Sequence, residues 1–285
     1  MRMFTEDQVT IGILPTSEIV SYHQKIHSEI SCYNRIENQV LHKDMDVQVL
    51  EYNPMFFTVK IVTKNVTVQL GSILKKQQDL TKEIYEILRD VEFRMNWKGE
   101  LIEIVNHKEI KERWNKQKPK LKERYSGQAI ERYLIGIEKK ILQHDKLLLD
   151  CLQYRLYGLL FNDLFGYHSS DPKEAHDRLR VIGNMVYQLP LSIRERVLLL
   201  SEEEDKVIIG ISGTLDEEQE YATKIRNLFK RKNISSPEGV KLTDYMGEYR
   251  YNKKTGIFDS ITLNMITEYG TDYKKNQNYQ LKQEV

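Results

Sequence analysis

Two stretches far apart in this chain read alike, and they restrict its fold more than any other feature. Phe93-Arg94-Met95-Asn96-Trp97-Lys98-Gly99 and Tyr249-Arg250-Tyr251-Asn252-Lys253-Lys254-Thr255-Gly256 each set alternating apolar residues before an Asn, a basic residue and a Gly. The second stretch carries one extra residue in the turn, and another apolar run follows each. Alternation at period two marks a strand with one buried face, and Asn with Gly is turn chemistry because both tolerate positive φ. Each stretch therefore reads as a β-hairpin, with Gly99 and Gly256 expected in equivalent positive-φ turns. After the first hairpin, Asn106 with Glu109 three residues on has the spacing of a capping box and predicts a helix start.

The order of periods around the two hairpins is also similar. Upstream of the first, Val47 and Val49 precede Asn53-Pro54, and Phe57, Val59, Ile61, Val66, Val68 and Leu70 continue a long hairpin. A helical stripe follows over 72–90, through Ile73, Leu74, Leu80, Ile84, Ile87 and Leu88. Upstream of the second, Val197–Leu200 and Val207–Ile211 flank the turn residues 201–205. Asp216 with Gln219 then predicts a capped helix over 217–232, with Tyr221, Ala222, Ile225, Leu228 and Phe229 on its apolar face. Residues 273–283 read as an edge strand. The expected fold class is α+β, with two similar antiparallel sheet and helix halves of hairpin-helix-hairpin type. They span 1–106 and 171–285 and are joined by a helical segment, 107–170, in which Pro119 and Ser126-Gly127 mark a kink and a break.

Charge narrows the partners. Lys plus Arg number 43 against 42 Asp plus Glu, a net charge of +1, so no long-range field favours a polyanion. The basic run Lys111, Arg113, Lys116, Lys118, Lys120, Lys122 and Arg124 is diluted by Glu112 and Glu123 and reads as a solvated helical face, with nucleic acid an unfavoured partner. Charged residues reach 30% and the mean hydropathy is −0.56, yet 17 Tyr and 8 Phe supply a core. Cys32 and Cys151 read as free thiols of a reducing compartment. With no signal-peptide pattern after Met1 and no apolar run of membrane length, the expected location is cytoplasmic.

Chemistry-bearing groups are few. His23 and His27 have H-x-x-x-H spacing, but their surroundings read as a strand, where the rings stand about 13 Å apart. His168, Asp171, His176 and Asp177 form a loop group that turn chemistry explains. Glu202, Glu203, Glu204 and Asp205 sit at a hairpin tip, and Gly210-Ile211-Ser212-Gly213 lacks the spacing of a nucleophile elbow. No phosphate-cradling glycine motif is present. The reading is a chain without a catalytic centre, metal or cofactor.

The element Gly99-Glu100-Leu101-Ile102-Glu103-Ile104-Val105-Asn106, running into Glu109-Ile110 and Trp114, resembles a pattern in poorly characterised bacterial proteins of paired antiparallel half-barrel type. The resemblance covers the β-rich parts and implies a shape. Some such proteins are similar to lipoproteins or lie near secretion and toxin systems, and this chain departs from them in its long helical insert. No functional residue carries over.

Three function classes follow: a protein-binding module such as an adaptor, chaperone or immunity factor, a carrier of a small apolar ligand held between sheet and helix, and an unrecognised enzyme. The first is the expectation. Its docking surface is expected on the helical segment, where Trp114, Tyr125 and Tyr133 lie beside Lys and Arg residues, because mixed aromatic and basic surfaces suit binding hot spots. The alternatives are that these rings cover the sheets, or that a partner pairs with the edge strand near Tyr273 to Leu281.

Overall fold

Period-two alternation governs more of the chain than its turn signals suggest. The computed structural model describes residues 8–13, 18–53, 55–70, 75–161 and 163–284. The elements are β1 (Gln8–Ile11), β2 (Val20–Cys32), β3 (Arg35–Tyr52), β4 (Phe57–Gln69), α1 (Lys75–Ile87), β5 (Asp90–Met95), β6 (Leu101–Ile104), α2 (His107–Arg124), α3 (Gln128–Leu142) and α4 (His144–Cys151). They continue with β7 (Gly166–Ser169), β8 (His176–Val186), β9 (Leu189–Glu202), β10 (Lys206–Leu215), α5 (Ala222–Lys230), β11 (Val240–Asn252), β12 (Ile257–Tyr269) and β13 (Tyr273–Gln283).

This overturns the expected α+β design of hairpin-helix-hairpin halves. The protein is mostly β, 50% strand and 24% helix, with an antiparallel sheet of eleven strands in the order β6-β5-β4-β3-β2-β13-β12-β11-β10-β9-β8. β1 and β7 form a separate antiparallel pair. The physical reason is strand length. β3 has 18 residues and β2, β4, β11 and β12 have 13 each, so backbone donors and acceptors continue well past the short hairpins that turn chemistry marks. The expected edge strand is also corrected, because β13 lies between β2 and β12. Its polar composition reads as an edge, yet Tyr273, Lys275, Gln277, Tyr279 and Leu281 are all buried on one face.

The helices differ from expectation at their ends. The expected helix over 72–90 is α1, and Ile73 and Leu74 lie outside the described residues. The expected helix over 217–232 shortens to α5, because the Gln219 side chain bonds the Ser192 backbone on both sides (3.1 and 2.6 Å) instead of capping. Asn106 does precede α2, but its side chain accepts from Glu92 N (3.0 Å) and donates to Asp90 O (3.1 Å), tying the helix start to β5. α2 runs through Pro119 unbroken. The helical segment ends at Cys151, followed by turns and β7.

The chain divides into two compact units. The first comprises 1–12, 26–39 and 166–282, and the second 13–25, 40–165 and 283–285. In the second, α1 packs on β4 and α2, α2 on α3, α3 on α4, and α4 on β6. Val59, Ile61, Val91, Phe93 and Met95 form the buried strand face. Phe93 meets Tyr157 and Phe161 edge-on at 5.4 and 5.5 Å between centroids. The stretch carrying those rings is tied to the strands by polar contacts. Gln24 donates to Tyr154 O (2.9 Å), and the buried Lys43 ammonium donates to Leu156 O (2.5 Å) while standing 4.5 Å from the Tyr157 ring centre.

In the first unit α5 covers the strands. Phe229 stacks on Tyr269 at 4.0 Å and meets Tyr273 edge-on at 4.9 Å. Lys275 donates to Asn184 O and to Tyr187 O (3.2 Å). On β9, Glu195 is fully buried against Arg178 (2.8 Å) and the Tyr245 hydroxyl.

Candidate functional site

Two neighbouring hairpin tips of the second unit expose large apolar side chains. Tyr52 pairs with Phe57, and Phe57 with Met95, so the β3–β4 tip lies beside the β5–β6 tip. Met55 is 79% exposed, Trp97 59%, Tyr52 54% and Leu50 46%. The register shifts between Val49 and Glu51, leaving Leu50 as the extra residue of a bulge, which turns its side chain out of the inward alternation. Both tips are held by an Asn side chain. Asn53 Oδ1 accepts from Met55 N (2.9 Å) and Phe56 N (3.0 Å), and Asn96 Oδ1 accepts from Lys98 N and Glu100 N (both 3.0 Å). Cations line the rings: the Arg94 guanidinium lies 4.6 Å from the Phe56 ring centre and Lys98 Nζ 5.4 Å from that of Trp97.

The residues singled out on the helical segment are placed differently. Trp114 is fully buried, with Nε1 facing Glu138 Oε1 at 3.4 Å. Tyr125 is buried and donates its hydroxyl to Glu83 at 2.9 Å. Tyr133 is 43% exposed. The first two rings thus cover the interior, and the three do not form one solvent-facing patch. Three cations of the basic stretch have partners as well. Arg113 bonds Asp90 O (2.5 Å), Lys118 pairs with Glu138, and Arg124 pairs with Glu83.

His23 and His27 stand on β2, as the strand reading expects, and the register of β2 against β3 gives them different neighbours. His23 Nδ1 lies 2.7 Å from Asp44 Oδ1 and its Nε2 3.1 Å from His42 Nδ1, whereas His27 Nε2 faces Asn38 at 3.3 Å. Asp44 Oδ2 accepts from Asn65 Nδ2 at 3.2 Å. Burial opposes ionisation of Asp44, but the hydrogen bonds from His23 and Asn65 outweigh it and hold the carboxyl below its ordinary range. Burial, with the charges of His23 and Lys25, lowers the pKa of His42. His23, Asp44 and Glu284 bring ligand atoms within 4.8 Å of one another.

The loop group does not assemble. His168 is buried on β7 opposite Val9, while His176 and Asp177 lie exposed on β8. Glu202 and Asp205 pair with Lys253 and Lys254 (both 2.5 Å), and Gly210 to Gly213 are strand residues of β10. Cys32 and Cys151 are free thiols. Among the described residues no helix is long and apolar enough to cross a membrane.

The sequence matches no family model and no curated protein. Among solved structures, a chain from a study of lipid–protein interactions in lipovitellin aligns over 94% of this chain and 25% of its own length, at 11% identity and a TM-score of 0.46. The chain thus spans about a quarter of that protein's length.

Proposed function

We propose that this chain is a protein-binding module that docks its partner on the paired hairpin tips at Leu50, Tyr52, Met55 and Trp97, with a binding rather than a catalytic role. What carries the reading is the exposure of four large apolar side chains on two adjacent hairpin tips, whose backbone N–H groups bond Asn53 and Asn96. Trp and Tyr are the residue types that dominate binding hot spots, and a held tip loses little conformational entropy on association. The two free thiols fit a partner in a reducing compartment, the cytoplasm. A carrier role for a small apolar ligand has less support, because Phe93 on the buried strand face of the second unit is already met edge-on by Tyr157 and Phe161.

The test is quantitative capture from the native cell with the immobilised full chain, compared with a Y52S/M55S/W97S variant shown to fold by circular dichroism. A partner identified on the parent chain should drop at least about tenfold on the variant, since hot-spot truncations cost about 2 kcal/mol or more each. Full recovery by the folded variant would mean that docking lies elsewhere.

A further inference from the structure

β2 and β3 set His23, His42 and Asp44 side by side, and the chain returns to them at its C-terminal end. Glu284 N donates to Ser21 O at 2.8 Å, which lays residue 284 against β2. Its carboxylate then falls within 4.8 Å of ligand atoms of both His23 and Asp44. We propose that His23, Asp44 and Glu284 bind a divalent transition metal of the zinc class.

The donor set and its surroundings support this assignment. One imidazole nitrogen with two carboxylate oxygens suits Zn²⁺ better than Mg²⁺ or Ca²⁺, which take oxygen ligands throughout. Zinc bonds of about 2.0–2.2 Å place tetrahedral ligand atoms roughly 3.3–3.5 Å apart. His23 Nδ1 and Asp44 Oδ1 stand closer than this at 2.7 Å, so an ion between them takes the place of their hydrogen bond and moves the two atoms apart by about 0.6–0.8 Å.

A metal-bound histidine characteristically donates its other ring N–H to an orienting group, and ligating carboxylates are themselves hydrogen-bonded. Both features are built here. With Nδ1 on the metal, His23 Nε2–H points at His42 Nδ1, 3.1 Å away, and Asp44 Oδ2 is held by Asn65. Lys64 is engaged by Asp46 at 2.7 Å. Three protein ligands leave a fourth position for water. The ion would fasten residue 284 to β2 and β3, independently of docking at the hairpin tips.

The experiment uses the untagged full chain, freed of metal with a chelator and titrated with ZnCl₂ by calorimetry, with Co²⁺ absorption as a probe of coordination. The parent chain should bind one equivalent, and Zn²⁺ should raise its Tm. H23Q, D44N and E284Q should each weaken Zn²⁺ binding at least about tenfold while retaining the far-ultraviolet spectrum. H42A should weaken it by about 10–100-fold through loss of the orienting partner. H27Q, on the same strand but outside the group, should bind as the parent does. Absence of stoichiometric binding, or binding unaffected by H23Q, D44N and E284Q, would overturn the proposal.

Discussion

Asn96 and Asn252 hold two distant hairpin turns in the same way. Asn96 Oδ1 accepts from Lys98 N and Glu100 N (both 3.0 Å), and its carbonyl accepts from Gly99 N at 3.0 Å. Asn252 Oδ1 accepts from Lys254 N (2.9 Å) and Thr255 N (3.3 Å), and its carbonyl accepts from Gly256 N at 2.9 Å. Each Asn thus satisfies backbone donors that a tight reversal leaves without strand partners. Each turn closes on a glycine of positive φ, 85° at Gly99 and 70° at Gly256.

Neither glycine should tolerate Ala. G256A costs at least the backbone strain of a left-handed L-residue, about 1–2 kcal/mol. G99A carries that strain and also sets a Cβ 2.5 Å from Phe165 Cδ2, adding about 1–3 kcal/mol of overpacking. Urea denaturation of both variants checks this. A loss in G99A of no more than the strain alone would show that the Phe165 ring yields freely.

Lys43 should make stability depend on pH. Burial lowers its pKa from 10.5 to about 7, and burial likewise lowers Lys275 to about 8. Between the folded and unfolded values the unfolded chain holds a proton that the native state lacks. Stability therefore rises with pH through this window, is fully present above 10.5, and is lost as pH falls to about 7. Each group contributes a slope of at most about 1.4 kcal/mol per pH unit. K43M should remove more than half of the slope between about pH 7 and 8, whatever its effect on absolute stability, because Lys275 titrates later. Urea midpoints at the two pH values decide it, and an unchanged slope in K43M would exclude the assignment.

Hairpins were the legible part of this fold. Alternation and turn residues locate β3–β4, β9–β10 and β11–β12, and they place Gly99 and Gly256 correctly. How far the strands run, and what pairs with them, is set by tertiary contact. β13 reads as polar edge sequence, yet Lys275 and Gln277 are buried, with Asn184 O, Tyr187 O and the Tyr279 hydroxyl accepting their hydrogen bonds. Register also defeats spacing. His23 meets His42 and Asp44 across a strand pair, and Glu284 reaches them from the opposite end of the chain. The hairpin-tip surface left a signal that went unused, since Trp97 stands inside a turn, where side chains face solvent by default.

Arg194 and Glu195 are neighbours on β9 that point to opposite faces, and their substitutions should differ sharply. Glu195 is fully buried with Arg178 at 2.8 Å and Arg180 at 3.9 Å, so E195A removes the buried carboxylate that both guanidinium groups face and should cost about 3–5 kcal/mol. Arg194 pairs with Asp216 at 2.8 Å but is more than half exposed, so R194A should cost under about 1 kcal/mol. A loss below about 1 kcal/mol in E195A would contradict the buried cluster.

The two tryptophans offer a direct contrast between core and surface. Trp114 is fully buried in α2, so W114A removes a large side chain that the surroundings cannot replace and should cost about 3–5 kcal/mol. Trp97 is 59% exposed at a hairpin tip, and W97S should change stability by no more than about 0.5 kcal/mol. Because these are the only tryptophans, fluorescence separates them. W97S should retain the blue-shifted, acrylamide-protected emission of Trp114 and lose the quenchable component. In a W114F variant that keeps its fold, the remaining emission should be red-shifted and fully quenched. Protected emission from Trp97 would mean that the tip is covered, and the docking surface proposed for it would have to be abandoned.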